Sequence, residues 1–152
     1  MAAACVFCRI VAGQAPADVV REWEDVIAIR PLHPVTPGHV LVIPHTHVAD
    51  VGELPGVSAR TMACAAELAA ELPAANVITS KGTAATQTVA HLHLHIVPRT
   101  AGDGLPLPWT SQQPAVGYPG GPLLTPRRGA APGGPPGPLS SRAHPSQGEN
   151  DS

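Results

Sequence analysis

The chain has few charged and few aromatic residues. Of its 152 residues, 13% are charged and 3% are aromatic, and Lys81 is the single lysine. Its 9 basic residues are outnumbered by 11 acidic ones, so we expect no basic surface for sequence-independent binding of nucleic acid. No apolar run reaches the roughly 18 residues of a membrane-spanning helix, so we predict no membrane partner.

Cysteine is also scarce, and its number is odd. Three cysteines cannot all pair with one another, which argues against the disulfide framework of a small secreted domain. Residues 1–4 have neither the basic flank nor the apolar segment of a signal peptide. A reducing, cytoplasmic location is therefore predicted.

Proline and glycine, in contrast, are abundant, and they are concentrated toward the C-terminus. Residues 111–152 contain 9 Pro and 8 Gly, and few large apolar side chains. Such a segment cannot bury enough apolar surface to offset the entropy lost when a chain is ordered. The sequence therefore predicts a folded domain over residues 5–110 and a disordered tail over residues 111–152.

Short apolar segments in the first part of the chain predict an α+β fold. Five segments rich in β-branched or apolar residues and bounded by turn residues are predicted to be strands, at residues 19–23, 26–30, 39–43, 75–79 and 91–97. A helix capped by Ser58 is predicted to extend to Leu72, and a short helix is predicted over residues 7–12. The short connections favour a largely antiparallel sheet with one main helix on one face.

Histidine is the residue in excess: the chain has eight, and three of them alternate along the last predicted strand. Side chains at i, i+2 and i+4 of a strand share one face, which places His91, His93 and His95 together. The alternating Leu92 and Leu94 are then expected to face the core. Three interpretations are open: a polar strand face, a metal site built of imidazoles, or nucleophilic chemistry on a phosphate.

The loop before these histidines favours phosphate chemistry. Residues 82–88 are small and carry hydroxyl and amide donors, and a loop of this kind can surround an anion with N–H and O–H groups. Gln87 and Thr88 are its candidate side-chain donors. Arg99, just after the strand, is either a further phosphate contact or an ordinary surface arginine. His39 begins a strand that we expect to lie beside the three histidines.

Together these motifs resemble the histidine triad (HIT) family of nucleotide hydrolases and transferases. The resemblance rests on the alternating histidines of residues 91–97, on residues 87–89 before them, on the Pro-Gly-His segment of residues 37–44 and on residues 5–10. Residues 99–110 resemble bacterial members related to diadenosine tetraphosphate hydrolases. The resemblance implies an antiparallel sheet with one long helix, usually in a homodimer.

The resemblance also implies a reaction. His93 matches the nucleophile that attacks the α-phosphate of a purine nucleotide or dinucleoside polyphosphate, through a covalent nucleotidyl-histidine intermediate. His91 and His95 would position the phosphate or tune proton transfer, and His39 matches a supporting histidine. Thr88 matches a hydroxyl residue near the leaving group.

Substrate contacts are implied by the same resemblance. Gln87 matches an amide that contacts phosphate, and Ser80 replaces a common Asn or Gln. Phe7 and Ile10 are candidates for the purine pocket. Thr86 is a further candidate in the loop. Pro31 stands where many members have an Asp or Asn that holds the ribose, which leaves a second possibility: a nucleotide-binding or adaptor protein with little or no catalysis.

A zinc site is predicted at the N-terminus. The spacing of Cys5 and Cys8 makes half of a tetrahedral site, unless the two are ordinary cysteines. By resemblance to bacterial members, His47 and His91 complete it. A closed site of four protein ligands has no open position, so this zinc is predicted to be structural. A module whose histidines serve only the metal is the remaining alternative, and no organic cofactor is predicted.

Overall fold

The structure, a computed structural model, describes residues 5–107. The last three residues of the predicted domain and the tail predicted to be disordered, residues 111–152, lie outside this range. The elements in chain order are helix α1 (Val6–Val11), strands β1 (Asp18–Glu22), β2 (Val26–Arg30) and β3 (Val40–Pro44), helix α2 (Pro55–Ala69), strand β4 (Ala75–Ile78), a 3₁₀ turn (Thr83–Ala85) and strand β5 (Leu94–Pro98). Over residues 5–107, no helix has the length and apolar character to cross a membrane.

The five strands form a single antiparallel sheet in the order β1-β2-β3-β5-β4. The chain leaves the sheet after β3, returns through α2 to form β4 at the edge, and then inserts β5 between β3 and β4. This confirms the predicted α+β fold, an antiparallel sheet with one main helix.

Alternation along the strands divides the sheet into two buried faces. The face toward α2 carries Val26, Ala28, Val42, Leu94 and Ile96, packed on Cys64, Ala65 and Leu68 of the helix. The opposite face carries Ile27, Ile29, Leu41 and Ile43, packed on Phe7 of α1. Because His95 lies between Leu94 and Ile96 in β5, its side chain is on the α1 face.

Helix α2 begins earlier than predicted. Leu54 is its N-cap and Pro55 is its first residue, a position that suits proline because the first N–H groups of a helix have no internal partner. Ser58 lies inside the helix, where its hydroxyl donates to the carbonyl of Val51 at 2.8 Å. The prediction that Ser58 caps the helix is wrong, and the helix ends at Ala69.

The last strand begins later than predicted. β5 starts at Leu94, so His91 and His93 precede it. The amide of Leu92 donates instead to the carbonyl of Val48, at 2.7 Å, in the segment after β3. Only the third histidine therefore lies in the sheet, although the alternation persists: Leu92 and Leu94 are each 1% exposed, in the core as predicted.

Candidate functional site

A cavity of about 950 Å³ opens on the α1 face of the sheet, and it gathers most of the predicted site residues. The predicted site residues that line it are Phe7, His39, Ser80, Thr86, Thr88, His93 and His95. Pro31, at the position where the resemblance suggests a ribose contact, also lines it. His91, Gln87 and the predicted metal ligands lie outside its lining.

His93 is held so that one ring nitrogen is available to the cavity. Its Nδ1 lies 2.7 Å from the carbonyl oxygen of His91, and since a carbonyl only accepts, Nδ1 carries the proton. The lone pair of the neutral ring is then on Nε2, which no group in residues 5–107 hydrogen-bonds. Thr79 donates to the carbonyl of His93 at 2.9 Å, and Phe7 meets the ring edge-on, with centroids 5.2 Å apart.

His39 and His95 form a hydrogen-bonded relay with defined tautomers. The amide of Val35 donates to His39 Nδ1 at 3.2 Å, so the proton of His39 is on Nε2. That N–H donates to His95 Nδ1 at 3.0 Å, which leaves His95 with its own proton on Nε2. The relay thus ends in an N–H donor on a ring that lines the cavity.

Burial keeps both rings of this relay neutral. Desolvation lowers the pKa of His39. It also lowers the pKa of His95, to about 4, with the neighbouring His93 and His39 contributing in the same direction. Near neutral pH the ring of His95 is therefore neutral. Its Nε2–H can donate a hydrogen bond, but a neutral imidazole does not give up that proton to a leaving group.

Three hydroxyl groups complete the polar wall of the cavity. Ser80, Thr86 and Thr88 line it, and the side chain of none of them forms a hydrogen bond within residues 5–107. Some hydroxyls elsewhere are engaged: those of Thr61 and Thr79 donate to backbone carbonyls. The three free hydroxyls are therefore available to a ligand with acceptor oxygens.

Gln87 does not line the cavity, although the family resemblance implies that it contacts phosphate directly. Its Nε2 donates to the carbonyls of Ala49, at 2.7 Å, and Val89, at 3.0 Å. Its Oε1 accepts from the amide of Gly82 at 2.8 Å. The whole side-chain amide is satisfied inside the protein, so Gln87 clamps the loop before His91 onto the segment after β3.

The four predicted metal ligands do meet, beside the cavity. The ligand atoms of Cys5, Cys8, His47 and His91 lie within 4.8 Å of one another. Cys5 caps α1, and Cys8 lies one turn further along the helix. The His91 Nδ1 is 3.4 Å from the Cys5 sulfur and 3.5 Å from that of Cys8, and His47 Nδ1 is 3.2 Å from Cys8.

This donor set fits a tetrahedral zinc ion. Typical Zn–S and Zn–N bonds require sulfur–nitrogen separations of about 3.5 Å, close to those observed. The ring of His91 is fully buried, its Nε2–H donates to the carbonyl of Pro44 at 2.9 Å, and the lone pair of Nδ1 is thereby directed to the sulfurs. Burial also lowers the pKa of His91, which preserves that lone pair.

Comparison with known proteins identifies the family. The HIT domain matches residues 12–102, more than half of the chain. The chain belongs to the HIT family. A solved structure described as a Zn-bound histidine triad family protein, from Mycobacterium smegmatis, is 40% identical, with a TM-score of 0.63 over 70% of this chain and 82% of that one.

Two HIT relatives have names that state an activity. The adenosine 5′-monophosphoramidase of Saccharomyces cerevisiae is 32% identical over 115 residues, which are 73% of this chain and 73% of the yeast protein. The adenylylsulfatase of Arabidopsis thaliana is 31% identical over 115 residues, which are 71% of this chain and 57% of that protein.

Part of this HIT site carried no recognisable signal in the sequence. Asp18 and Arg30 line the cavity as an ion pair, 2.7 Å apart. They meet because β1 and β2 pair in the register that sets them opposite each other. Leu32 and His33 also line it, and nothing in their spacing distinguishes them from other surface residues. Ile10, which the family resemblance suggested for the purine pocket, lines the cavity as well.

Proposed function

We propose that this HIT protein is a hydrolase that splits a phosphoramidate or phosphoanhydride bond at the α-phosphate of a purine nucleotide. The observation that carries the proposal is the state of His93, whose Nδ1–H is committed to a carbonyl while Nε2 keeps its lone pair. The names of the two relatives, an adenosine monophosphoramidase and an adenylylsulfatase, support the same class of reaction.

In the first step, His93 Nε2 attacks the α-phosphorus. A nitrogen–phosphorus bond forms, and the bond from phosphorus to the leaving group breaks, so that the leaving group departs with the electron pair. An amine leaving group also takes up a proton from solvent. The ring of His93 becomes positively charged, and its Nδ1–H bond to the carbonyl of His91 stabilises that charge.

In the second step, water attacks the phosphorus of the nucleotidyl-histidine. The oxygen–phosphorus bond forms as the nitrogen–phosphorus bond breaks, the water releases a proton to solvent, and His93 returns to the neutral tautomer. A nucleoside monophosphate is the product. The positively charged ring makes histidine a good leaving group in this step.

The groups around the cavity would stabilise the phosphoryl oxygens. The Nε2–H of His95 is a neutral donor at the end of the relay from His39, so it would bind an oxygen that gains charge in the transition state. The hydroxyls of Thr88 and Ser80 would donate in the same way, and Phe7 would support the ring of His93 and one wall of the nucleoside pocket.

Replacement of His93 tests the proposal. His93→Ala should lower hydrolysis of adenosine 5′-phosphoramidate and of adenylyl sulfate by at least about 10³-fold, measured as AMP released, while AMP binding persists. His144→Ala, outside the HIT match, is the matched control. Rapid quenching of the natural-sequence enzyme should show one nucleotidyl group on His93 by peptide mass spectrometry.

Two different outcomes would contradict the proposal. Full activity in His93→Ala contradicts the role of that residue. AMP binding without hydrolysis of any tested substrate by the natural-sequence protein would instead favour a nucleotide-binding or adaptor function. A dinucleoside polyphosphate belongs in the same substrate set, because the resemblance of residues 99–110 points to it.

We also propose that zinc occupies the cluster of Cys5, Cys8, His47 and His91. The donor set of two sulfurs and two imidazoles, and the solved Zn-bound relative, support this assignment. A zinc ion held by four protein ligands would supply structural cohesion, joining α1 to the segment after β3 and to His91. The homodimer and the cytoplasmic location stay predictions; sedimentation analysis would check the first.

A further inference from the structure

We propose that Thr86 is a substrate-binding residue whose hydroxyl binds a phosphate oxygen of the substrate, and that the loop accepts a strained backbone in order to present it. The inference rests on the proposed function of the cavity as a nucleotide site. It adds a contact that involves neither proton transfer nor covalent chemistry.

The backbone of Thr86 has a left-handed conformation, with φ 65° and ψ 22°. Within residues 5–107 Thr86 is the one non-glycine residue with a positive φ. The other residues with a positive φ are all glycines: Gly13, Gly38, Gly82, Gly102 and Gly104. A β-branched side chain is especially unfavourable there, because its Cβ crowds the backbone.

The surrounding loop holds this conformation in place. The amide of Thr86 donates to the carbonyl of Thr83 at 2.9 Å, and the next amide, of Gln87, donates to the carbonyl of Gly82 at 3.2 Å. The side chain of Gln87 then fastens the same loop to the carbonyls of Ala49 and Val89. Strain of this kind persists only where neighbouring contacts fix the backbone.

Packing gives no reason for a threonine at this position. Thr86 is exposed, and its hydroxyl has no hydrogen-bond partner among the described residues. Glycine would adopt the same backbone without strain and without losing an internal contact. What the threonine adds is a hydroxyl in the wall of the cavity that also holds His93 and His95.

A phosphate oxygen is the ligand atom that best suits this hydroxyl. Hydrogen bonds to a charged acceptor are stronger than neutral ones, and the cavity offers no lysine to neutralise a phosphate. Its donors are neutral hydroxyls and imidazoles, together with the one guanidinium of Arg30, which is already paired with Asp18. Each free hydroxyl therefore contributes a sizeable share of anion binding.

Variants of Thr86 separate the strain from the hydroxyl, with AMP as the probe. Thr86→Gly should raise the midpoint of thermal unfolding by about 4 °C and weaken AMP binding by roughly tenfold. Thr86→Val keeps the branched Cβ and loses the hydroxyl, so it should weaken AMP binding to a similar extent at a nearly unchanged midpoint. Thr86→Ser should bind AMP more tightly than Thr86→Val.

Thr83→Val is the matched control, since Thr83 belongs to the same turn and is exposed but does not line the cavity; its AMP affinity, measured by isothermal titration calorimetry, should not change. Natural affinity in Thr86→Val, or in a stabilised Thr86→Gly, overturns the inference, as does a natural-sequence protein that fails to bind AMP. AMP binding that depends on Thr86, without hydrolysis of any substrate, supports the inference while the proposed enzyme activity fails.

Discussion

At the residue scale, hydrogen-bond partners define the state of each imidazole in the cavity. A backbone amide can only donate and a carbonyl can only accept, so Val35 and His91 fix the tautomers of His39 and His93. The tautomer of His95 then follows from its bond to His39. Identical side chains thereby become an acceptor nitrogen on one ring and a donor N–H on another.

The depressed pKa of His95 predicts a loss of stability in acid. Between its folded pKa of about 4 and the ordinary value of 6.5, the unfolded chain binds a proton at this residue that the folded chain does not bind. The free energy of unfolding should therefore fall as the pH is lowered through this window. Thermal unfolding across it, compared with His95→Gln, measures the contribution.

The glutamine variant is a suitable comparison because it keeps all four predicted metal ligands. Its midpoint should depend less steeply on pH than that of the natural sequence. Identical slopes for the two proteins would contradict a depressed pKa at His95.

Arg99 illustrates a residue whose alternatives only its contacts resolve. It pairs with both carboxylate oxygens of Asp103, at 2.7 and 2.8 Å, and donates to Asn76 and to the carbonyl of Leu105. It does not line the cavity. Arg99 therefore joins the segment after β5 to β4, and neither the phosphate contact nor an unattached surface arginine describes it.

At the element scale, the loop between β4 and β5 depends on one side chain. Gln87 bonds the backbone at three points, two on its own loop and one, Ala49, in the segment after β3. That loop carries Thr86 and Thr88 into the cavity wall. The amide therefore acts on the site through the backbone that it positions.

Gln87→Ala should free this loop. We expect kcat/KM for adenosine 5′-phosphoramidate to fall about tenfold or more, because loss of positioning weakens every contact that the loop makes, and amide hydrogen exchange over residues 82–89 should accelerate. Gln87→Glu keeps the acceptor for Gly82 but places a carboxylate oxygen against the carbonyls of Ala49 and Val89, so kcat/KM should fall at least as far as in the alanine variant. Unchanged exchange in Gln87→Ala would show that the clamp is unimportant.

Strand and helix positions were predictable where the signal is local. The β2 strand occupies the predicted residues because every one of them except Arg30 is apolar or small and both ends are turns. Helix α2 and β5 differ at their starts, since Pro55 and the bond from Leu92 to Val48 act there. Neither the helix start nor a bond between residues distant in sequence is encoded in apolar periodicity.

At the scale of the whole molecule, the metal cluster joins distant parts of the chain. Cys5 and His91 are 86 residues apart, and Cys8 and His47 are 39 apart. A metal ion that binds these ligands in the folded state alone stabilises that state by mass action. The backbone carbonyl of His91 also accepts the hydrogen bond from His93 Nδ1–H, so the cluster adjoins the cavity.

Removal of zinc should therefore destabilise the protein. The purified protein should contain about one zinc per chain, and a strong chelator should lower the unfolding midpoint by roughly 10 °C or more. Cys8→Ser should lose the metal by mass-spectrometric elemental analysis, whereas Cys64→Ser, buried in the α2 core away from the cluster, should keep it. A metal-free protein of unchanged midpoint would contradict the site.

By itself, the sequence determined the class of fold, the family and the candidate site residues, because apolar alternation and the spacing of histidines and cysteines are local patterns. The tertiary structure alone decided which nitrogen of each ring carries a proton, that Gln87 is consumed by backbone groups, and that Thr86 is strained. Those properties depend on backbone groups such as those of Val35, Ala49 and Pro44. A backbone group leaves no mark in the sequence pattern, and two of these three are about 40 or more residues from the side chain that they contact. The properties therefore exist only once the chain has folded.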